Sequence, residues 1–247
     1  MIRIEDYEEL KVRIVNWLKD YYWKYDIKAF VVGVSGGIDS AVVSTLCAET
    51  GFPTYVLTMP LHSKKGNTEL SDVHAKALSK KYSNVRVVNI DLSNTYESLL
   101  FDIDQDFVTN ELANANTKSR LRMVSLYQVA GSVGGIVVGT GNKVEDYGVG
   151  FYTKYGDGGV DIAPIADLYK SEVWELGEYL DVDQRIVDAK PTDGLWDDGR
   201  NDEDQIGATY VELEEAMENK TGVALNILEE YNKKNKHKME PIPTFKL

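Results

Sequence analysis

The chain has 247 residues, of which 43% are hydrophobic and 10% aromatic, as in a folded globular protein. Its net charge of −13 disfavours a nucleic-acid partner, which normally requires a basic face. A small anionic ligand is not excluded, because a few cations or a metal ion can invert the potential locally. No segment resembles a signal peptide or is apolar enough to span a bilayer. We therefore expect a soluble cytoplasmic protein without a membrane partner.

The first part of the chain alternates between predicted helices and strands. A leading amphipathic helix is predicted within residues 4–24. Apolar runs then predict strands, and stretches with helical spacing predict helices between them: the strands are 29–34, 54–59, 85–90 and 136–139, and the helices are 40–49, 69–82, 93–107 and 117–130. Strands separated by helices of this length predict an α/β fold, a doubly wound parallel sheet with helices on both faces.

The alternation of predicted strands and helices ends near residue 140, and the glycine content rises. Six glycines within residues 141–161 suggest a mobile loop that wraps a substrate. Later segments are predicted as a helix at 170–180, a flexible stretch at 193–204, helices near 204–218 and 224–234, and an extended tail at 241–243. No repeat or linker divides the chain, so a single domain is expected over residues 1–247.

The most informative motif joins the first predicted strand to the first predicted helix. Residues 35–40 read Ser-Gly-Gly-Ile-Asp-Ser, and the glycines allow a ligand to approach the free N–H groups of a helix start. Asp39 stands where a common phosphate-binding loop carries lysine. A carboxylate beside bound phosphates requires a divalent cation between them. By itself, the motif is equally consistent with an ordinary helix start capped by Ser35.

Together with later motifs, this loop resembles the N-type ATP pyrophosphatase group. Nearly the whole chain is similar to the synthetase portion of the NAD synthetase family. The supporting motifs are Asn-Thr-Lys-Ser-Arg-Leu-Arg-Met at 116–123, Gly-Thr-Gly-Asn-Lys-Val-Glu at 139–145, Tyr-Thr-Lys-Tyr-Gly-Asp-Gly-Gly-Val-Asp at 152–161, Asp-Leu-Tyr-Lys at 167–170, Lys-Pro-Thr at 190–192 and His-Lys at 237–238. The resemblance implies an adenine nucleotide alpha-hydrolase-like fold.

The resemblance also implies a reaction. The nicotinate carboxylate of deamido-NAD attacks the α-phosphorus of ATP, which releases pyrophosphate and leaves an acyl-adenylate. Ammonia then displaces AMP to give NAD. Adenylation is needed because a carboxylate is a poor electrophile until one oxygen becomes part of a good leaving group. Backbone N–H groups, cations and Mg²⁺ stabilise the charge that develops on pyrophosphate.

The family resemblance assigns roles to particular residues. Asp39 and Lys170 are implied in catalysis, and Asp39 and Glu145 as ligands of Mg²⁺. The residues implied to bind ATP are Gly33, Val34, Ser35, Gly36, Gly37, Ile38, Asp39, Ser40, Thr140, Lys170 and Thr192. The residues implied to bind deamido-NAD are Arg120, Lys154, Asp161, His237 and Lys238.

The chain departs from the family pattern in two places. Position 38 is Ile where many members carry Gln, and the stretch between Glu145 and Thr153 is one residue longer than in some relatives. Only about thirty residues precede the loop, where glutamine-dependent members carry an amidase domain, so ammonia is the expected nitrogen donor, unless a separate amidase subunit supplies it. A homodimer is expected from the resemblance. Two alternatives remain: a ligase of the same fold with another acceptor, and a nucleotide-binding module without turnover.

Overall fold

The computed structural model describes residues 4–62, 65–196 and 199–246. Residues 197 and 198 of the predicted flexible stretch, and the ends of the predicted domain at 1–3 and 247, lie outside these ranges. The α-helices are α1 (Tyr7–Lys24), α2 (Ile38–Glu49), α3 (Lys65–Lys81), α4 (Ser93–Asp102), α5 (Glu111–Val133), α6 (Lys170–Tyr179), α7 (Gln184–Val187), α8 (Asp202–Ile206), α9 (Tyr210–Asn219) and α10 (Leu225–Met239). A 3₁₀ turn covers Gln105–Phe107, and a π-helix covers Val144–Val149.

The strands form one parallel sheet in the order β3-β2-β1-β4. They are β1 (Phe30–Gly33), β2 (Thr54–Thr58), β3 (Val85–Asn89) and β4 (Ile136–Val137). An isolated parallel bridge pairs Val138 with Ile162 and extends the sheet beyond β4. All four predicted strands are confirmed, and so is their parallel pairing. No helix among the described residues is long and apolar enough to cross a membrane.

Helices cover both faces of the sheet, as predicted for an α/β fold. The side chains of Phe30 and Val32 join a core cluster with α1, α2 and α6. Val31, between them in sequence, joins a second cluster with α4 and α5 on the opposite face. This separation follows from the alternation of side chains along a strand. It leaves the carboxyl edge of the sheet as the one place where loops from β1 and β4 can meet.

Several element bounds differ from the predictions for local reasons. Helix α2 begins at Ile38 rather than at residue 40, so Asp39 and Ser40 lie in its first turn. The predicted helix near 204–218 is two helices, because Gly207 adopts a left-handed backbone conformation with φ 87° between them. Residues 141–161, predicted as a mobile loop, contain the π-helix and a hydrogen-bonded turn.

Candidate functional site

The loop between β1 and α2 leaves the start of the helix open. Gly37 is the N-cap of α2, and no side chain caps that helix start. Gly36 has φ 92°, a conformation that favours glycine. The first backbone hydrogen bond of the helix runs from the N–H of Ala41 to the carbonyl oxygen of Gly37, at 3.2 Å. The N–H groups of the first turn therefore stay open to an anionic ligand at the carboxyl end of β1.

Two serine side chains brace this loop from within. The hydroxyl of Ser40 donates to the carbonyl of Gly37 at 3.0 Å and accepts from the N–H of Ser35 at 3.2 Å. The hydroxyl of Ser35 accepts from the N–H of Gly37 at 3.2 Å and lies 3.1 Å from that of Ser40. The loop thus holds its shape through its own hydrogen bonds.

A cluster of two carboxylates around one lysine lies beside the open helix start. The Nζ atom of Lys170 is 2.5 Å from Oδ2 of Asp39 and 3.0 Å from Oε1 of Glu145. The side chain of Lys170 is only 3% exposed, and those of Asp39 and Glu145 are 16% and 17% exposed. Lys170 is the first residue of α6, and Glu214 on α9 accepts a hydrogen bond from the next N–H, that of Ser171, at 2.9 Å. The two predicted metal ligands therefore converge on a single positive charge.

The pKa values in this cluster follow from burial and from mutual charge. Burial lowers the pKa of Lys170, but the charges of Asp39 and Glu145 outweigh burial and raise it overall. Burial raises the pKa of Asp39, and the attraction of Lys170 does not fully offset it. Burial also opposes ionisation of Glu145, yet the charge of Lys170 and a hydrogen bond from Tyr210 lower its pKa. Glu145 is thus held as a carboxylate beside a permanently charged lysine.

Two further side chains fix the carboxylates, and the sequence analysis gave neither a role. Asn142 is fully buried; its Nδ2 donates to Oδ1 of Asp39 at 3.0 Å, and its Oδ1 accepts from the N–H of Glu145 at 3.2 Å. The hydroxyl of Tyr210 donates to Oε1 of Glu145 at 2.7 Å. An Asn after Thr-Gly signals a turn, and Thr209 with Glu212 signals the capped start of α9. Neither signal shows that the side chain reaches the site.

A cavity of about 950 Å³ opens over the loop and the cluster. Apart from Gly36, every residue that the family resemblance assigns to ATP lines it. These residues are Gly33, Val34, Ser35, Gly37, Ile38, Asp39, Ser40, Thr140, Lys170 and Thr192. Glu145 lines the same cavity, together with Arg122, another residue without a predicted role. The Nε atom of Arg122 is 3.3 Å from the carbonyl oxygen of Met59, just beyond the end of β2.

The segment that contains Glu145 forms a π-helix, in which each hydrogen bond spans one residue more than in an α-helix. The following turn is fixed by Asp157, whose carboxylate accepts from the hydroxyl of Ser119 at 2.7 Å and from the N–H of Thr153 at 3.0 Å. The hydroxyl of Thr153 donates to Asn116 at 2.7 Å. Glu145, near the start of the π-helix, lines the cavity.

None of the five residues assigned to deamido-NAD lines this cavity, and four of them have side-chain partners in the chain. Arg120 donates from Nε to the carbonyl of Lys154 at 3.3 Å, and Lys154 donates from Nζ to that of His237 at 3.2 Å. Nζ of Lys238 donates to the carbonyls of Gly150 and Tyr152, at 2.5 and 2.8 Å. Asp161 accepts from the hydroxyl of Tyr127 at 3.0 Å and from the N–H of Val137 at 2.8 Å. Arg120, with Tyr127 and Tyr155, lines a separate open depression of about 720 Å³.

The donor set at Asp39 and Glu145 fits Mg²⁺. Mg²⁺ is usually held by one or two carboxylates together with substrate phosphates, rather than by a cage of protein ligands. Within residues 4–62, 65–196 and 199–246, no three acidic, histidine or cysteine side chains are grouped to hold a metal by themselves. Two hard oxygen ligands beside an anion site are the arrangement that a metal bridging to a nucleotide requires.

Comparisons with known proteins extend over almost the whole chain. A family model described as NAD synthase matches residues 10–242. The NH(3)-dependent NAD(+) synthetase of Finegoldia magna is 34% identical over 242 residues, which cover 97% of this chain and 97% of that protein. The corresponding protein of Carboxydothermus hydrogenoformans is 37% identical over 239 residues, covering 94% and 95%.

Solved structures give the same fold. The structure of NMN synthetase from Francisella tularensis has a TM-score of 0.91 and 35% identity, and covers 99% of this chain and 100% of its own. An NH3-dependent NAD synthetase from Campylobacter jejuni has a TM-score of 0.78 at 24% identity, covering 98% and 100%. At that identity the second likeness shows the fold alone.

Proposed function

The chain belongs to the NAD synthase family, and on this basis we propose that it amidates deamido-NAD with ammonia to form NAD. The reaction consumes ATP through an acyl-adenylate and releases AMP and pyrophosphate. One observation carries the proposal: the open start of α2 and the cluster of Asp39, Lys170 and Glu145 line one cavity. Such a site can bind a triphosphate and stabilise a pyrophosphate leaving group.

We assign the triphosphate to the first turn of α2. The N–H groups of Ile38, Asp39 and Ser40 lie in that turn, and Gly36 and Gly37 present no side chain to an approaching phosphate. Lys170 supplies a buried positive charge beside them. Thr140 and Thr192 line the same cavity and supply hydroxyl groups for further contacts. Charge that develops on pyrophosphate therefore meets fixed donors in a partly water-excluded site.

We assign Mg²⁺ to the carboxylates of Asp39 and Glu145. When bound, the metal would neutralise phosphate charge and make pyrophosphate a better leaving group. The side chains of Asn142 and Tyr210 keep these carboxylates in place through hydrogen bonds. Lys170 bonds to both carboxylates, so its positive charge offsets part of their mutual repulsion.

The second substrate remains assigned to Arg120, Lys154, Asp161, His237 and Lys238. The side chains of Arg120, Lys154 and Lys238 donate to backbone carbonyls, and these contacts bring the segment 150–154 against α10 and α5. A ligand that binds there would exchange some of these contacts for its own phosphate and ribose groups. Alanine substitution of Arg120 should raise the KM for the nicotinate substrate and leave the KM for ATP unchanged.

A direct assay tests the proposed reaction. The purified chain is incubated with ATP, Mg²⁺, deamido-NAD and ammonium, and NAD and pyrophosphate are measured in the same samples. We expect the two products in equal amounts, with glutamine much less effective than ammonium. Pyrophosphate without NAD would point to a different acceptor, and nucleotide binding without AMP formation would support a binding module instead.

A second candidate keeps the chemistry and shortens the acceptor. The protein from Francisella tularensis, whose structure overlaps 99% of this chain, is described as an NMN synthetase. The amide product nicotinamide mononucleotide requires the nicotinate mononucleotide as its carboxylate precursor. Both substrates share the carboxylate that is adenylated, so the same cavity serves either one.

The two candidates differ in the measured specificity. We expect kcat/KM for deamido-NAD to exceed that for nicotinate mononucleotide when ATP, Mg²⁺ and ammonium are saturating. The reverse order would assign the chain to mononucleotide amidation, without affecting the roles of Asp39, Lys170 and Glu145. Arg120→Ala then shows whether the depression beside α5 takes part in acceptor binding.

The proposal includes three broader statements: the chain acts as a single domain over residues 1–247, in the cytoplasm, and as a homodimer. Exposed apolar side chains on one helix support the dimer. Leu112, Val124 and Tyr127 of α5 are 58%, 65% and 39% exposed, and at about 3.6 residues per turn they lie within roughly a third of the helix circumference. Light scattering during gel filtration should give twice the mass of 27.7 kDa. A monomeric mass for an active enzyme would contradict this assignment.

A further inference from the structure

Tyr210 is a buried phenol whose hydroxyl reaches into the predicted metal site. It is the first residue of α9 and is only 1% exposed. Its ring meets that of Trp174 edge-on, with centroids 6.0 Å apart, and the Nζ atom of Lys170 lies 4.9 Å from its centroid. Packing therefore holds the ring independently of its hydroxyl.

The hydroxyl of Tyr210 and the amine of Lys170 bind the same carboxylate oxygen. Oε1 of Glu145 accepts from Tyr210 at 2.7 Å and from Lys170 at 3.0 Å. Neither of these two donors binds Oε2 of Glu145. Two donors on one oxygen fix the rotation of a carboxylate and leave the other oxygen as its free ligand atom.

We infer that Tyr210 is a positioning residue, which holds Oε1 of Glu145 so that Oε2 is available to the divalent cation. This inference rests on the proposed function, since it requires a metal at Asp39 and Glu145. Hydrogen bonds of this kind to a metal ligand typically change metal affinity about 10- to 100-fold. The role is distinct from catalysis, because the phenol acts through Glu145.

The same hydroxyl joins the metal site to the segment that carries Thr192. It lies 3.5 Å from Oδ2 of Asp202, and the N–H of Asp202 donates to the carbonyl of Pro191 at 3.0 Å. Oδ1 of Asp202 accepts from the N–H of Asp193 at 3.0 Å. Asp202 thus contacts the residues on either side of Thr192, and it also lies next to the hydroxyl of Tyr210.

The substitution Tyr210→Phe removes the hydroxyl and keeps the ring. Tyr231→Phe is the matched control, because Tyr231 packs on the same core cluster and donates to a backbone carbonyl, that of Gln205, at 2.9 Å. Both variants lose one partly or fully buried hydrogen bond. A merely structural effect should therefore be similar in the two.

The main measurement is Mn²⁺ binding, followed by electron paramagnetic resonance in the presence of α,β-methylene-ATP. We expect Tyr210→Phe to weaken Mn²⁺ binding about 10-fold and Tyr231→Phe to leave it unchanged. In steady-state assays, the Mg²⁺ concentration for half-maximal rate should rise by a similar factor in Tyr210→Phe, whereas kcat at saturating Mg²⁺ should change by less than about threefold. Equal Mn²⁺ affinity in Tyr210→Phe and the parent overturns the inference.

A double-mutant cycle keeps the test valid if Tyr210→Phe is destabilised. In the background Glu145→Gln, the change Tyr210→Phe should have no further effect on Mn²⁺ affinity, because its route to the metal has been removed. Additive effects would overturn the inference. Because Mn²⁺ binding needs no turnover, a parent that binds Mn²⁺ but forms no amide contradicts the proposed function alone. A parent that binds no Mn²⁺ with the nucleotide analogue overturns the inference as well.

Discussion

The amino termini of α2 and α5 solve the same physical problem in different ways. Every helix begins with N–H groups that have no partner within the helix. In α5, the side chain of Asn110 accepts from the N–H of Ala113 at 2.9 Å, so the helix caps itself. In α2, the equivalent position is Gly37, and no side chain performs this task. The self-capped start contributes stability, whereas the open start is available to a ligand.

An acidic residue stands in the first turn of both helices, and its surroundings decide its role. Glu111 of α5 is exposed and has only the favourable field of the helix start. Asp39 of α2 is largely buried and is held by Asn142 and Lys170. An acidic side chain in the first turn is thus a minor stabilising group in one helix and a candidate metal ligand in the other.

Asp39→Asn should give the largest effect. The substitution keeps the shape of the side chain but removes the charge that pairs with Lys170 and with Mg²⁺, so we expect kcat to fall by about 100-fold or more. The control is Glu111→Gln, which removes the corresponding charge from α5 and should leave kcat unchanged. Rates are measured by pyrophosphate release, and circular dichroism checks the fold. Similar rates for Asp39→Asn and the parent would remove the distinction between the two helix starts.

The packing of His74 against α2 should make the stability of the protein depend on pH. His74 of α3 lies against α2, with Nε2 2.9 Å from the hydroxyl of Ser44, and burial lowers its pKa to about 4, although Asp183 opposes this shift. Below about pH 6.5, His74 binds a proton in the unfolded chain but stays neutral in the folded chain. The free energy of unfolding should therefore fall as the pH is lowered from about 6.5 to about 4, by up to about 3 kcal/mol. His74→Gln should remove this contribution, as measured by urea unfolding at both ends of that range. An unchanged difference between the two pH values would contradict the assignment.

Gly36→Ala tests whether the open start depends on backbone conformation. Gly36 has φ 92°, and alanine in that conformation costs about 1–3 kcal/mol, so we expect lower stability and a KM for ATP raised several-fold. Gly37→Ala is the control, since φ is −91° and an added Cβ would lie 3.4 Å from Oγ of Ser35, an ordinary contact. Thermal unfolding and ATP titrations of both variants provide the measurement. Equal stability losses would show that backbone strain does not distinguish the two positions.

Asn110→Ala should have the smallest effect. It removes the cap of α5 and should lower the free energy of unfolding by about 1 kcal/mol. Because this helix start is capped by its own side chain and is not assigned to a substrate, kcat and the KM for ATP should stay at parental values. A rise in the KM for ATP would mean that the two helix starts are less independent than the comparison assumes.

The sequence predicted the sheet well, because each strand is a short apolar run bounded by turn residues. It also predicted that the loop at 35–40 and the turn at Thr140 face one cavity, because the carboxyl ends of parallel strands share an edge. The π-helix at Val144–Val149 was not predicted, since the periodicity of a six-residue segment does not distinguish π-helical from α-helical hydrogen bonding. The contact of Tyr210 with Glu145 was also missed, because residues 65 positions apart meet only through packing. Whether the assigned residues bind ATP, Mg²⁺ and deamido-NAD remains a prediction.

The wide spacing of the metal-site contacts along the chain has a consequence for folding. Asp39 is 103 residues from Asn142 and 131 from Lys170. The loop at residues 35–40 is made from neighbouring residues and can form together with β1 and β2. The contacts of Asp39, in contrast, bring together residues that are far apart in the chain, which costs more conformational entropy. During synthesis, the carboxylate of Asp39 therefore has neither of these partners until Asn142 and Lys170 have been added to the chain. Magnesium and nucleotide should therefore protect the refolding chain only once the whole molecule has assembled, and not when its first sheet forms.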